Sequence, residues 1–439
     1  MPADTFDLED PLPIEPVDGP VRATIRPPGS KSLTNRALVC AALADGVSTL
    51  TGALVSDDTR VMIEGLAKLG VEVGVADGGT TLRVNGCGGQ VPSLEAELFV
   101  GNSGTTVRFL TAVATLGRGA FRLDGVPRMR ERPLGDLADA LNALGADVRC
   151  ESPGRCPPVA IHANGLPGGE AAIRGDISSQ FLSGLLMTAP AADGAVRLSV
   201  EGDLVSQPYV RMTLAVMHAF GVEAAAPDDL STFAIEPAEY QATDYAIEPD
   251  ASAASYFWAA AAITGGRVTV AGLGRDALQG DVAFVDCLAE MGCEVTESDA
   301  GVTVTGPPAG ERLRGARLDM NAISDTVQTL AAVALFAEGP TTVTGVAHNR
   351  HKETDRITDL ATELRRLGAT VDESPDGIAI TPGELRPAEI ETYDDHRMAM
   401  SLSLVGLRQP GVRIKNPRCT AKTYPGYFSD LAKVCSPDA

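Results

Sequence analysis

Several stretches of this 439-residue sequence combine glycine, hydroxyls and cations closely enough to hold an anion. The first is Pro28-Gly29-Ser30-Lys31-Ser32-Leu33-Thr34-Asn35-Arg36, and the apolar run Ala37-Leu38-Val39-Cys40-Ala41-Ala42-Leu43 after it reads as helix. Ser30 or Ser32 caps such a helix, whose free N–H groups face an anion while Lys31 and Arg36 add charge. A capped, basic surface helix fits the same residues equally well. A nucleotide P-loop fits worse, because Ser30 stands directly before Lys31 and Ile25 occupies the position that needs glycine.

Four more polar stretches follow. Gly101-Asn102-Ser103-Gly104-Thr105-Thr106-Val107-Arg108 is again a glycine turn entering a helix, and Pro127-Arg128-Met129-Arg130-Glu131-Arg132-Pro133 carries three arginines in five residues. Ser178-Ser179-Gln180, with Ser206-Gln207-Pro208-Tyr209 further on, offers neutral donors and acceptors suited to hydroxyls and phosphate. Each also reads as an ordinary cap, turn or solvated loop. The last group is His351-Lys352-Glu353-Thr354-Asp355-Arg356, Tyr393-Asp394-Asp395-His396-Arg397-Met398 and Cys419-Thr420-Ala421-Lys422-Thr423. On a helix Lys352 and Arg356 share a face at i and i+4, which an exposed ion-pair ladder would explain as well as a site. The Asp-His-Arg trio favours function, because an apolar helix follows at once and the chain has only five histidines. Together these segments suit small substrates with several negative charges, with Asp325 and Glu353 left for proton transfer.

The elements that must position these groups recur. An alanine-rich helix, a glycine and a β-branched strand appear at 41–52, 112–125, 185–202, 259–272 and 331–345, and more weakly at 402–416. With Gly46, Gly119, Gly194, Gly266, Gly339 and Gly411 as anchors, the period is roughly 72 to 75 residues. A second element, an amphipathic helix closed by glycine before a strand, lies out of phase with the first, as in Leu66-Ala67-Lys68-Leu69-Gly70-Val71-Glu72-Val73. No such copy is clear after Met400. The pattern predicts six α/β units, three per domain. It excludes a (β/α)₈ barrel, which needs eight simple βα pairs, and a Rossmann sheet, which needs Gly-x-Gly-x-x-Gly after its first strand.

Composition narrows the partners. A net charge of −22 argues against nucleic acid and against an anionic membrane surface. The longest apolar runs fall far short of a membrane span, and the acidic, proline-rich start lacks signal-peptide regions, so a cytoplasmic protein is expected. Eight scattered cysteines without Cys-x-x-Cys read as reduced thiols rather than a zinc site.

Taken jointly, Pro28 to Ser32, Gly101 to Thr105, Pro127 to Pro133, Ser178 to Phe181, Lys352 to Arg356, Asp395 to Met398 and Thr420 to Thr423 are specific. In this order, from about Arg22 to Ala432, they make the chain similar to the 5-enolpyruvylshikimate 3-phosphate synthase branch of the enolpyruvyl transferases. The resemblance implies a two-domain inside-out α/β barrel with six repeats of a βαβαββ unit, three per domain. Residues 1–28 and 249–439 would form one domain and 29–248 the other, with the active site in the interdomain cleft. It further implies transfer of the enolpyruvyl group of phosphoenolpyruvate to the 5-hydroxyl of shikimate 3-phosphate, with release of phosphate, in the supply of chorismate and aromatic amino acids. No cofactor, metal or covalent enzyme intermediate is implied, and a monomer is expected.

By motif matching, shikimate 3-phosphate would be held by Lys31, Ser32, Arg36, Ser178, Ser179, Gln180, Ser206, Tyr209, Asp325, His348 and Lys352. Phosphoenolpyruvate would be held by Lys31, Asn102, Gly104, Thr105, Arg132, Gln180, Glu353, Arg356, His396, Arg397 and Lys422. Asp325, Glu353, Lys31 and His396 would be the catalytic groups, and a Lys31 crowded by other cations would give up a proton readily. Two positions depart from the family pattern: His348 stands where asparagine is usual, and Phe109 where proline is common, reshaping the phosphoenolpyruvate pocket. Gly104 is retained and leaves room for the inhibitor glyphosate. The sister enzyme acting on UDP-N-acetylglucosamine is disfavoured, because its arginine loop carries a cysteine and the segment from Gly125 to Pro133 has none. A non-catalytic anion-binding relative would not need Asp325 and Glu353 beside its cations.

Overall fold

Ser30 ends an extended segment and its hydroxyl accepts from the Leu33 N–H at 3.4 Å, so helix α1 (Lys31–Leu43) starts at Lys31 itself. In this computed structural model, which describes residues 8–308 and 310–436, eleven further helices follow. They are α2 (Asp57–Lys68), α3 (Gly104–Ala114), α4 (Gly135–Ala143), α5 (Ser179–Thr188), α6 (Gln207–Ala219), α7 (Ala251–Thr264), α8 (Phe284–Glu290), α9 (Val327–Ala334), α10 (Thr358–Arg366), α11 (His396–Gly406) and α12 (Tyr427–Val434).

The odd-numbered helices are the more deeply buried ones, and α3, α7, α9 and α11 are buried along their whole length. A helix apolar on all sides can only lie inside. The even-numbered helices are amphipathic, and a glycine in the left-handed region ends the turn after α2, at φ +94° for Gly70. Strands alternate buried and exposed residues, as in Val47–Thr51 and Arg267–Ala271, so each sheet turns one face to the helices and the other to water.

One strand order recurs. Glu95–Phe99 pairs in parallel with Arg118–Asp124, which pairs antiparallel with Val159–Asn164, and that strand pairs antiparallel with Val148–Cys150. The parallel pair is joined through α3, as a parallel connection requires, and the antiparallel pair closes as a hairpin. Arg317–Asp319, Thr341–Thr344, Gly377–Thr381 and Thr370–Ser374 repeat this order around α9 and α10. In two repeats the leading strand comes from a distant part of the chain. Asp244–Ala246 leads the sheet of Val47–Thr51, and Arg22–Ile25 leads that of Arg267–Ala271.

The chain divides into two units, Gly29–Ile247 and a second running from Glu248 onward together with the segment that ends at Pro28. Each has its own apolar core, one built on α1, α3 and α5 and the other on α7, α9 and α11. Each holds three repeats. Among the described residues no helix is long and apolar enough to cross a membrane.

Two local expectations are corrected. A second helix does exist in the sixth repeat, because Tyr427, Leu431 and Val434 recur at i, i+4 and i+7 and bury one face of α12. The glycine and strand that marked the other copies are missing there, and Leu12–Pro13 pairs with Arg413–Ile414 instead. Nor do Lys352 to Arg356 lie on a helix. The Asp355 carboxylate accepts from the N–H groups of Ile357 and Thr358 at 3.1 Å each, so α10 begins only at Thr358 and the motif is an irregular turn.

Candidate active site

In the Gly29–Ile247 unit the expected residues gather at the starts of three buried helices. The Lys31 ammonium lies 3.0 Å from the Asp58 carboxylate of α2, both buried. Lys31 therefore pairs with a carboxylate. Arg36, one turn further along α1, is 1% exposed. Its Nε donates to the Thr213 hydroxyl at 2.7 Å, Nη1 to the Ser32 carbonyl at 3.0 Å, and Nη2 to the Ser183 hydroxyl and the Tyr209 carbonyl at 3.3 and 3.2 Å. No carboxylate pairs with it among the described residues, and burial lowers its pKa to about 10.

Ser103 caps α3 through the Thr106 N–H at 3.2 Å, which brings Gly104 and Thr105 into the first turn. Gln180, at the start of α5, donates to the Thr105 hydroxyl at 3.3 Å and accepts from Arg108 Nη1 at 2.7 Å. Arg132 donates to the Asn102 carbonyl at 2.9 Å. A Cβ at Gly104 would stand 2.7 Å from Arg132 Cζ and 2.9 Å from Arg108 Nη1, so the glycine is what lets two guanidiniums converge. Of the three arginines in their loop, Arg128 and Arg130 make exposed ion pairs with Glu131 and Asp124, and Arg132 alone is buried. Ser178 caps α5 by accepting from the Gln180 N–H, with Ser179 next to it, and Ser206, at φ +53°, precedes α6 and Tyr209. Phe109 lies in the core against Arg36, at 5.4 Å from ring centroid to guanidinium carbon.

The second unit builds one dense ionic cluster. The Asp325 carboxylate, in the short turn before α9, lies 2.8 Å from Lys352 Nζ, 3.2 Å from Arg356 Nη1 and 2.7 Å from Arg397 Nη2. Arg356 also meets Glu353 at 2.9 Å and Asp395 at 2.7 Å, and Lys422 lies 3.4 Å from Glu353. Asp395 caps α11 through the Arg397 N–H at 2.8 Å, which fixes where His396 and Arg397 begin the helix. The Tyr256 hydroxyl accepts from Arg397 Nη1 at 3.3 Å. Thus Asp325, Lys352, Glu353, Arg356, Arg397 and Lys422 form one set, with His396 beside it. His348 joins through Ser324, whose hydroxyl lies 2.9 Å from its Nε2.

Burial opposes the charge of Arg356, yet Asp395, Glu353 and Asp325 outweigh it and hold its pKa above the ordinary value. For Lys352 burial and Arg356 prevail over Asp325, and its pKa is lowered. Burial, then Arg397, pushes His396 well below the ordinary histidine range, so its imidazole is neutral at pH 7. His348 falls to about 3, first through burial and then through Lys352. A histidine that charges only when unfolded contributes stability above about pH 6.5 and loses it as pH falls toward 3. His348 alone is expected to remove about 2 kcal/mol between pH 7 and pH 5. Urea unfolding at the two pH values should show a fall smaller by about that much in His348→Asn. Equal falls in variant and wild type would contradict it.

Reasoning from sequence missed Asp58, Arg108 and Asp395 as members of these sets. Arg108 and Asp395 stood inside quoted motifs, and the place of Asp395 just before His396, a cap position, could have marked it. Nothing local ties Asp58 to Lys31, since only the packing of α1 on α2 brings them together.

Helix-start cations, small hydroxyls and carboxylates on two three-repeat α/β units define a protein that handles small polyanions. The family model of EPSP synthase (3-phosphoshikimate 1-carboxyvinyltransferase) matches residues 17–431. The 3-phosphoshikimate 1-carboxyvinyltransferase of Nostoc punctiforme is 49% identical over 421 residues, covering 96% of this chain and 98% of that one. The chloroplastic enzyme of Brassica napus is 48% identical over 437 residues, covering 96% and 84%. The solved structure of EPSP synthase from Acinetobacter baumannii is similar with a TM-score of 0.79 at 26% identity, covering 96% of this chain and 97% of that one. The chain belongs to the EPSP synthase family.

Proposed function

We propose that this protein transfers the enolpyruvyl group of phosphoenolpyruvate to the 5-hydroxyl of shikimate 3-phosphate. The 5-oxygen adds to C2 while C3 takes a proton, giving a tetrahedral ketal phosphate. Phosphate then leaves as C3 gives a proton back. The observation that carries this reading, in a chain of this family, is Asp325 gripped by Lys352, Arg356 and Arg397. Three cations fix the position of that carboxylate, which takes the proton of the 5-hydroxyl.

Shikimate 3-phosphate is taken by Lys31, Ser32, Arg36, Ser178, Ser179, Gln180, Ser206, Tyr209, Asp325, His348 and Lys352. Arg36 supports this, as a buried cation with only neutral partners suits an anionic ligand. Phosphoenolpyruvate is taken by Lys31, Asn102, Gly104, Thr105, Arg132, Gln180, Glu353, Arg356, His396, Arg397 and Lys422. Glu353 and Lys31 handle the proton at C3 and the leaving phosphate. His396, neutral through burial, orients phosphoenolpyruvate and supplies no proton. Two multiply anionic substrates repel one another, and the lysines and arginines offset that repulsion. The test is phosphate release from phosphoenolpyruvate with either shikimate 3-phosphate or UDP-N-acetylglucosamine as acceptor. Release with the first alone is expected, and release with neither would leave only an anion-binding protein.

Glyphosate should compete with phosphoenolpyruvate at Gly104. In Gly104→Ala the new methyl displaces the ends of Arg132 and Arg108, so KM for phosphoenolpyruvate and the glyphosate inhibition constant should each rise about tenfold or more. Steady-state kinetics with both constants unchanged would contradict this. The protein is expected to act as a monomer, which its mass in solution tests.

A further inference from the structure

The partners of Arg36 are unusual for a buried cation. Four of its five N–H groups are spent on two hydroxyls and two carbonyls, all neutral. The remaining N–H, on Nη1, has no partner among the described residues. Thr213 in turn bonds the Ser183 hydroxyl and the Tyr209 carbonyl, at 2.8 and 2.9 Å, so the neutral partners are themselves held. Hydrogen bonds of this kind fix the edge of a guanidinium, but they leave its two faces to be packed.

The guanidinium carbon also lies over two aromatic rings. The Arg36 Cζ lies 5.4 Å from the centroid of Phe109 and 6.0 Å from that of Tyr209. Both are within the range where a ring quadrupole attracts a cation, and desolvation strengthens the attraction. Phe109 is wholly buried on α3, a helix that the side chain of Arg36 reaches from α1. A carboxylate in place of the ring would also hold Arg36, but would cancel the charge that an incoming anion must find. A ring face lowers the cost of burying the cation and leaves its charge available.

We propose that Phe109 is a positioning residue for the acceptor. Its ring face holds the Arg36 guanidinium, un-neutralised, in the plane that receives an anionic group of shikimate 3-phosphate. This rests on the reading of Arg36 as an acceptor contact. It assigns Phe109 to the acceptor side, where family resemblance pointed to the phosphoenolpyruvate pocket.

Binding of shikimate 3-phosphate, measured by titration calorimetry without phosphoenolpyruvate, separates the proposal from the reading beneath it. Replacing Phe109 by 4-fluoro-, then 3,5-difluoro-, then 3,4,5-trifluorophenylalanine drains the ring face of negative potential at nearly constant shape. Affinity should fall stepwise along the series, to about tenfold weaker at the last member. Thermal midpoints should fall with it, because the same attraction lowers the cost of burying the cation, and in an Arg36→Met background the series should have no effect on either. Constant affinity along the series, with affinity lost in Arg36→Met, would overturn the role of Phe109 and leave Arg36 as a contact. The same stepwise fall in the Arg36→Met background would also overturn it, since the ring would then act by packing. Wild-type affinity in Arg36→Met would overturn the underlying reading.

Discussion

Replacing Lys31 by methionine should abolish turnover, lowering kcat by about a thousandfold or more, the scale of a lost proton-transfer and charge-stabilising group. It should also destabilise the protein. Lys31 and Asp58 are a buried pair, 3.0 Å apart, and truncating one leaves the other buried without it. Breaking such a pair typically costs about 3–5 kcal/mol, much of it the penalty on the abandoned charge. The two effects are separable. Lys31→Met/Asp58→Asn also removes the carboxylate's charge and should recover most of the stability, while turnover stays lost. Urea denaturation beside a phosphate-release assay reads both. A single variant within tenfold of wild-type turnover would remove Lys31 from the chemistry, and a double variant no more stable than the single would remove Asp58 as its counter-ion.

Arg356→Lys should be nearly as damaging, although the charge is kept. The guanidinium meets three carboxylates from different parts of the fold: Asp395 through Nε and Nη2, Glu353 through Nη2 and Asp325 through Nη1. A lysine ammonium is a point charge on a flexible stem and cannot span that set. Glu353 and Asp395 are buried and would lose a fixed donor each. A loss of about 3 kcal/mol is expected, or roughly 6–12 °C in the melting temperature for a unit of this size. Turnover should fall about a hundredfold or more, because the carboxylates no longer share one alignment. A melting temperature within 2 °C of wild type would show, by the same scaling, that Arg356 does not organise the cluster.

How far the sequence leads depends on whether the cause is local. Helix starts at Lys31, Gly104 and His396 follow from Ser30, Ser103 and Asp395 as caps, and each cap lies one residue away. The repeat is legible because its glycines and alanine-rich runs recur at a near-constant period. Tertiary pairings are another matter. Asp58 lies 27 residues from Lys31, and Thr213 lies 177 from Arg36. No spacing rule joins them. The helix expected over Lys352 to Arg356 failed because the Asp355 side chain competes locally with helical hydrogen bonds. The charge state of His396 depends on burial inside α11, which no neighbouring residue announces.

Running the reaction in D₂O tests the addition–elimination account most directly. Protonation at C3 makes a methyl group whose three hydrogens become equivalent, so its later loss of a proton leaves solvent deuterium behind. Mass spectrometry of the product from wild-type protein, phosphoenolpyruvate and shikimate 3-phosphate should therefore find deuterium at C3 of the enolpyruvyl group, and none in phosphoenolpyruvate recovered without the acceptor. Enolpyruvyl product formed without deuterium would contradict the account.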